Sequence, residues 1–326
     1  MANGITLDML LNLESSKLSR DLTGYITYLY GSPKVGKTTL ARDMGALIIA
    51  CEDGTRAMAG AYALKVKTWA DIRTIMRLAK DDKMKQRYKA IAVDTVDIAA
   101  SLCEKYVCNQ LEISTLGEGG WTKNGWSVFK KEFEEVFRTF SMEGYAVLFI
   151  SHAKDKEFTR PDGTKYNKIV PTVSESINGI IKGMSDIIAF GYQEMGTEDR
   201  YMMLRSDGSV EAGGRFAYID SVIPFGYKHL TEAINRAIDE EERIRGAEAV
   251  SNERRVETET VLPSYDELME TFTERVATLM EKNATYYQPK IVQIVETYLG
   301  RGKKFSEAKP DQIEQMMLIV DELQLI

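Results

Sequence analysis

Through the first 237 residues, short apolar runs alternate with longer stretches whose apolar positions recur every three or four residues. The runs at 25–30, 46–51, 89–94, 145–151, 187–192 and 201–205 have the length and composition of strands. Between the first four, helical spacing covers 37–44, 69–80 and two segments between 96 and 142. Such alternation predicts βαβ units around a buried, mostly parallel central sheet flanked by helices, an α/β core. The last two runs lie close together and predict an antiparallel edge. Residues 238–261 then break the pattern with 12 charges in 24 positions and predict a partly helical linker. Three helical patterns follow. The second carries Ile291, Ile294, Val295, Tyr298 and Leu299; the third carries Ile313, Met316, Met317, Val320 and Leu323, with Pro310 suited to its first turn. The predicted organisation is an N-terminal segment 1–23, a core 24–237, the linker 238–261 and a small all-α domain 262–326.

Composition narrows the class. A 326-residue chain with 44% hydrophobic residues is too apolar for a disordered protein. No apolar run approaches the roughly 18 residues of a membrane helix, and residues 1–20 lack the pattern of a secretory signal. No membrane partner is expected. Cys51, Cys103 and Cys108 make an odd count without zinc spacing, which fits a reducing cytoplasm. His152 and His229 are the only histidines, so a His-rich metal site is excluded. The net charge of −7 is uneven: residues 238–326 hold 19 acids and 11 bases, leaving 30 acids and 31 bases for residues 1–237. The acidic surplus belongs to the C-terminal part, and the near-neutral core leaves nucleic-acid binding open.

The strongest motif is Gly31-Ser32-Pro33-Lys34-Val35-Gly36-Lys37-Thr38, followed by Thr39. It matches G-x-x-x-x-G-K-[ST] between a predicted strand and a predicted helix. Its glycines let backbone N–H groups converge on a phosphate, and the helix N-terminus adds partial positive charge. Lys37 reaches the β/γ-phosphates and Thr38 holds Mg²⁺ in this motif, so the expected ligands are ATP and Mg²⁺. Position 32, where partition-type switches carry an extra lysine, is serine, and Lys34 sits two places later.

Three strand ends supply partners. Asp94 closes the run 89–94 and is placed to hold Mg²⁺ beside Thr38. Glu52 follows the run 46–51 and is placed to polarise the attacking water, whereas Asp53 before Gly54 reads as turn chemistry and Asp97 as a first-turn helix residue. Ser151 and His152 end the run 145–151 at the same edge, as candidate contacts to the γ-phosphate or water. Beyond them Lys154, Lys156, Arg160, Lys165 and Lys168 interleave with Phe158 and Tyr166 around the turn Pro161-Asp162-Gly163. That predicts a hairpin with cations for phosphates and aromatics for bases, the chemistry of single-strand binding. Asp155, Glu157 and Asp162 hold its net charge to +2. The Gly-rich stretch 117–126 is a second candidate contact loop.

Phosphate loop, glutamate, strand-end aspartate and Ser-His pair occur in that order along 24–237. The set resembles the RecA-like P-loop ATPases carried by bacteriophages, including phage single-strand annealing recombinases. The resemblance implies a RecA-like core in which residues 31–38 bind ATP and Mg²⁺, Glu52 activates water and His152 couples nucleotide state to the following DNA loop. It also implies a basic residue that reaches a neighbouring subunit's γ-phosphate. Arg215 in Gly213-Gly214-Arg215-Phe216 fits that place and Arg205 is second; the family often has lysine where Gly213 stands. The implied activity is an ATP-dependent recombinase that binds single-stranded DNA and promotes annealing or strand exchange. Its implied partners are copies of itself in a ring or filament and a single-strand binding protein. Two other functions are open on such a core: a helicase, helicase-loader or packaging-type motor, and an ATP-gated scaffold whose acidic helical domain docks a protein.

Overall fold

The computed structural model describes residues 11–118, 120–253 and 263–326. In chain order its strands and main helices are β1 (Leu18–Ser19), β2 (Ile26–Gly31), α1 (Lys37–Asp43), β3 (Leu47–Ala50), β4 (Tyr62–Lys65), α2 (Trp69–Leu78), α3 (Asp82–Arg87), β5 (Ala90–Asp94), α4 (Val96–Leu111), α5 (Gly125–Met142), β6 (Ala146–Thr159), β7 (Lys165–Pro171), α6 (Glu175–Met184), β8 (Ile187–Gln193), β9 (Arg200–Met203), β10 (Gly213–Gly214), β11 (Val222–Pro224), α7 (Tyr227–Arg245), β12 (Val250–Ser251), α8 (Tyr265–Leu299) and α9 (Ile313–Gln324). The main sheet runs β11-β9-β8-β2-β6-β5-β3-β4. It is parallel from β8 to β4 and antiparallel where β9 meets β8 and β11. The predicted α/β architecture and its antiparallel edge are therefore present, while β4, β10 and β11 escaped the sequence pattern. Strand β10 is a glycine pair with no apolar residue, and β4 and β11 are too short to make an apolar run.

Helices cover both faces of the sheet, which is why β2 and β5 are buried along their whole length. On one face α5 lays Phe129, Phe133, Phe137 and Phe140 along a single stripe at three- and four-residue spacing. These rings pack with Trp69 of α2, whose indole N–H donates to Glu132 at 2.7 Å. On the other face lie Leu40 and Ala41 of α1 and the apolar stripe of α7.

That stripe corrects the expected core boundary at 237. Helix α7 continues to Arg245, with Ala237 and Ile238 both buried against the sheet. The charges that suggested a linker are its outer face, where Arg20 pairs with Asp239 and Glu242. Strand β12 pairs with β1, so residues on both sides of the predicted core close onto it. The remainder of the expected linker, 254–261, lies outside the described residues.

The chain divides into two compact units, the sheet-containing core and one that holds the C-terminal helices. In the second unit α8 starts at a reciprocal cap between Ser264 and Glu267. It is interrupted by extended backbone at Asn283, so its two parts and α9 account for the three helical patterns. Pro310 precedes α9 instead of entering its first turn; the cap is Gln312. Leu268, Leu279, Ile291, Val295 and Ile319 contribute to a separate core. Among the described residues no helix is long and apolar enough to cross a membrane.

Candidate functional site

Strand register brings the sequence-predicted residues to one edge. Gly31 of β2 lies opposite His152 of β6, Asp94 of β5 opposite Ile150, and Ala50 of β3 opposite Asp94. The phosphate loop, Glu52, Asp94 and His152 thus meet where parallel strands end, as ligands do in open α/β sheets. A Cβ on Gly31 would stand 2.1 Å from the Gly191 carbonyl oxygen, so the close approach of β2 to β8 demands glycine. Gly36 caps α1 with φ of 114°, and a side chain there would press on Phe225 at 3.1 Å. The first turn of α1 then offers its backbone N–H groups, including those of Thr38 and Thr39, to an anion. Ser32, Pro33 and Lys34 are exposed on the loop and Val35 is buried under it.

Lys37 is buried and donates to the carbonyls of Gly31 and Ser32, each at 2.9 Å. Burial lowers its pKa, while the charges of Asp94, Glu52 and Asp97 oppose that shift. The Thr38 hydroxyl donates to Asp94 Oδ2 at 2.7 Å. Burial raises the Asp94 pKa and the negative charge of Glu52 adds to it, against the Thr38 hydrogen bond and the charges of Lys37 and His152. A Cβ on Gly54 would lie 3.7 Å from Thr38 Oγ1 and 3.9 Å from Asp94 Oδ2, so glycine keeps the space beside these two oxygens clear. Two oxygens with that clearance suit Mg²⁺, which takes few protein ligands and completes its octahedron with phosphates and water.

Glu52 Oε1 accepts from the Thr95 hydroxyl at 2.8 Å and lies 3.3 Å from His152 Nε2. The carboxylate is one-third exposed, positioned yet open to water. Its neighbour Cys51 has a thiol pushed up to about 12 by burial and is no nucleophile. Thr95 gave no signal in the sequence beyond following a strand-end aspartate. Arg200 gave none at all, although it donates to the Val35 carbonyl at 3.4 Å.

Ser151 is a correction. It is fully buried, and its hydroxyl lies near Thr172 Oγ1 and the His152 carbonyl, away from Glu52. Alternation along β6 turns Ser151 away from the side on which His152 meets Glu52. Thr172, just past β7, also donates to Asp97 Oδ1 at 2.5 Å. Asp97 is a first-turn residue as expected, but its partner is this hairpin root, and its second oxygen is buried without one. Asp53 pairs with Lys65 and Arg56 on the surface.

Strand β6 runs on from the sheet edge into an antiparallel hairpin with β7, closed by the predicted turn. Its register pairs Lys154 with Val170, Lys156 with Lys168 and Phe158 with Tyr166. Paired residues share a face, so Lys154, Lys156, Phe158, Tyr166 and Lys168 lie together. Phe158 and Tyr166 are stacked at 5.6 Å, and Arg160 joins them, 4.7 Å over the Tyr166 ring. Asp155 and Glu157 alternate onto the opposite face. Lys165 goes with them and pairs with Glu157 at 2.7 Å, which removes it from the predicted contact surface. Lys154 donates to the Thr172 carbonyl and Lys156 pairs with Glu175, so the two inner cations are anchored at the root.

Arg215 is not brought to this edge. It follows β10, which pairs with the start of β8, and it binds Asp186 at 2.9 Å and the Gly183 carbonyl. Arg205 binds the carbonyls of Ile219 and Ala217. In the stretch 117–126, Trp126 is half exposed and packs edge-on against Phe129.

Phosphate-binding amides, a lysine and two acids in graded exposure at such an edge are the equipment of a P-loop nucleoside triphosphatase. More narrowly, the chain belongs to the AAA domain family, whose profile matches residues 23–216, over half its length. It is an ATP-binding and ATP-hydrolysing enzyme with a P-loop AAA domain. It is 28% identical over 324 residues to the SPbeta prophage-derived uncharacterized protein YorG of Bacillus subtilis (strain 168), an alignment covering 96% of this chain and 97% of that protein. The crystal structure of the RadB recombinase aligns with 69% of this chain and 94% of its own at 15% identity, with a TM-score of 0.36.

Proposed function

We propose that this enzyme is an ATP-dependent recombinase that binds single-stranded DNA on the β6–β7 hairpin and promotes annealing or strand exchange as an assembly of identical subunits. The observation that carries the reading is the hairpin register. It sorts four cations and two aromatic rings onto one face and two acids onto the other, on the part of β6 that follows His152. A net charge of +2 spread over both faces would attract a polyanion weakly. Concentrated beside stacking rings, the same residues match a phosphodiester chain with unpaired bases.

The chemistry follows from the side chains. Lys37 exchanges the Gly31 and Ser32 carbonyls for the β/γ-phosphates, whose negative charge offsets the effect of burial on its ammonium group. Bound at Thr38 and Asp94, Mg²⁺ supplies neutralisation of phosphate charge. Glu52, fixed by Thr95, orients the attacking water and accepts its proton. His152 lies against the same Glu52 oxygen and opens the hairpin strand, so strand occupancy and base position share one residue. Arg215 remains the proposed trans finger: at the far end of β8 it reaches a nucleotide only when another subunit supplies that nucleotide. A single-strand binding protein is the proposed loading partner.

Steady-state ATP hydrolysis with and without single-stranded DNA tests the reading, with Lys37→Ala as blank. Stimulation that disappears in Lys156→Glu/Lys168→Glu, while basal turnover persists, supports it. Turnover indifferent to DNA overturns it in favour of a protein-directed switch; directional unwinding of duplex would mark a motor.

A further inference from the structure

The C-terminal unit contains a feature that ATP chemistry does not use. Between the two parts of α8 and the loop leading to α9 lies a groove of about 490 Å³. Met269, Phe272, Val276, Ile291, Val292 and Val295 form its apolar walls. Its floor is closed by Phe305, whose ring stacks on Phe272 with centroids 3.8 Å apart. Val292 stays 48% exposed although it belongs to this apolar lining. A solvent-facing apolar cleft of that size lies within the range of small-ligand pockets, about 300–1,000 Å³, and holds two or three bulky side chains.

One rim fixes the chemistry of the occupant. The loop after α8 carries Arg301, Lys303, Lys304 and Lys309, all exposed. None of the four side chains forms an ion pair or donates a hydrogen bond among the described residues, and Lys303 and Lys304 line the groove itself. Glu296, the acid nearest to them in the lining, is spent on the Gly302 N–H at 2.7 Å. Residues 262–326 hold 11 acids and 7 bases, so four of the seven bases crowd onto nine residues of an otherwise acidic unit. Unpaired cations beside an apolar cleft select a ligand with bulky apolar side chains next to carboxylates.

We infer that this groove docks a short acidic peptide segment of a partner protein, its apolar side chains in the cleft and its carboxylates on Lys303 and Lys304. Nucleic acid fits the cations but not the walls. They are largely aliphatic, and the two rings present are stacked on each other. The inference stands apart from the hairpin reading, since it involves neither the nucleotide edge nor β6–β7.

The test is fluorescence anisotropy on the full chain with a labelled peptide of four aspartates followed by leucine, phenylalanine and leucine. Binding is expected with a dissociation constant on the order of 10 μM, weakening as salt rises. Lys303→Glu/Lys304→Glu should weaken it at least about tenfold, as should Val292→Glu at an already exposed position. An unchanged far-ultraviolet circular dichroism spectrum and unchanged protease resistance of the C-terminal unit in both variants check that it folds. Equal binding of the tetra-aspartate peptide lacking its apolar end, or of a lysine-for-aspartate version, overturns the proposal. So does displacement of the peptide by single-stranded DNA that the charge-reversal variant abolishes. Concentration-dependent dimerisation that Val292→Glu removes would give the groove to a second copy and overturn it as well.

Discussion

Asp94 and Lys37 are both held where water is scarce, and each is uncomfortable as an ion without its ligand. Burial raises the Asp94 pKa, so the protonated form is favoured by folding. The stabilisation from that proton is present below the unfolded value and is lost as pH rises through the folded one. At neutral pH the nucleotide-free protein therefore carries the cost of a buried carboxylate, which a bound cation offsets. Asp94→Asn should leave the nucleotide-free thermal midpoint unchanged or higher, remove the gain on mild acidification, and abolish the shift produced by Mg-ATP. Differential scanning fluorimetry across pH reads all three, and a sharp fall in the nucleotide-free midpoint would contradict them. Glu52 has a different task. Glu52→Gln should bind ATP normally and lose roughly 10²- to 10⁴-fold in turnover, measured by nucleotide titration beside steady-state kinetics.

The hairpin is tied to the nucleotide edge at both roots. Its outgoing strand meets Glu52 through His152, and its returning strand meets Asp97 through Thr172. Glu52 and Asp97 converge again on residues 94–97, because Thr95 holds Glu52 and Asp94 holds Thr38. A shift of β7 relative to β6 thus bears on the segment that positions both acids. Thr172→Val should retain basal turnover and lose most DNA stimulation, since only the link to the return strand is cut. Thr172→Ser, which restores the hydroxyl, should rescue it. Equal loss of basal and stimulated rates in Thr172→Val would make the contact merely structural. Stacking is separable: Phe158→Ala should weaken single-strand affinity by about 1–3 kcal/mol without altering basal hydrolysis, as a filter-binding titration would read.

A subunit alone places Arg215 at the end of β8 opposite the phosphate loop, closed on a buried Asp186 that also accepts from the Ile26 N–H. Its removal should cost about 1–3 kcal/mol of stability, the penalty for leaving a buried carboxylate underpaired. Whether it also serves a neighbour is decided by mixing. Lys37→Ala lacks a working loop and Arg215→Ala lacks the finger, so each alone should be inactive with DNA. Mixed subunits should regain turnover wherever an intact loop faces an intact arginine. No recovery in the mixture, with each variant folded, would restrict Arg215 to its structural pair.

Local sequence was enough for the phosphate loop and for the acids at the strand ends. Glycines at fixed spacing, an apolar run and a helix start are all encoded within a dozen residues. It was also enough for the three helical stretches of the C-terminal unit, because a 3.6-residue period survives in isolation. What it could not supply were relations across strands. Ser151 and His152 are neighbours in sequence, yet pleating sends one into the core and the other to Glu52. Lys165 resembles Lys168 in composition, but register places them on opposite faces. Thr95, Thr172 and Arg200 carry no motif, and their partners come from strands or loops distant in the chain. The apparent linker was the charged outer face of a helix, legible only once its inner face had a sheet to lie on. Periodicity reports which residues seek burial, whereas a partner exists only after the sheet has set the distance between them.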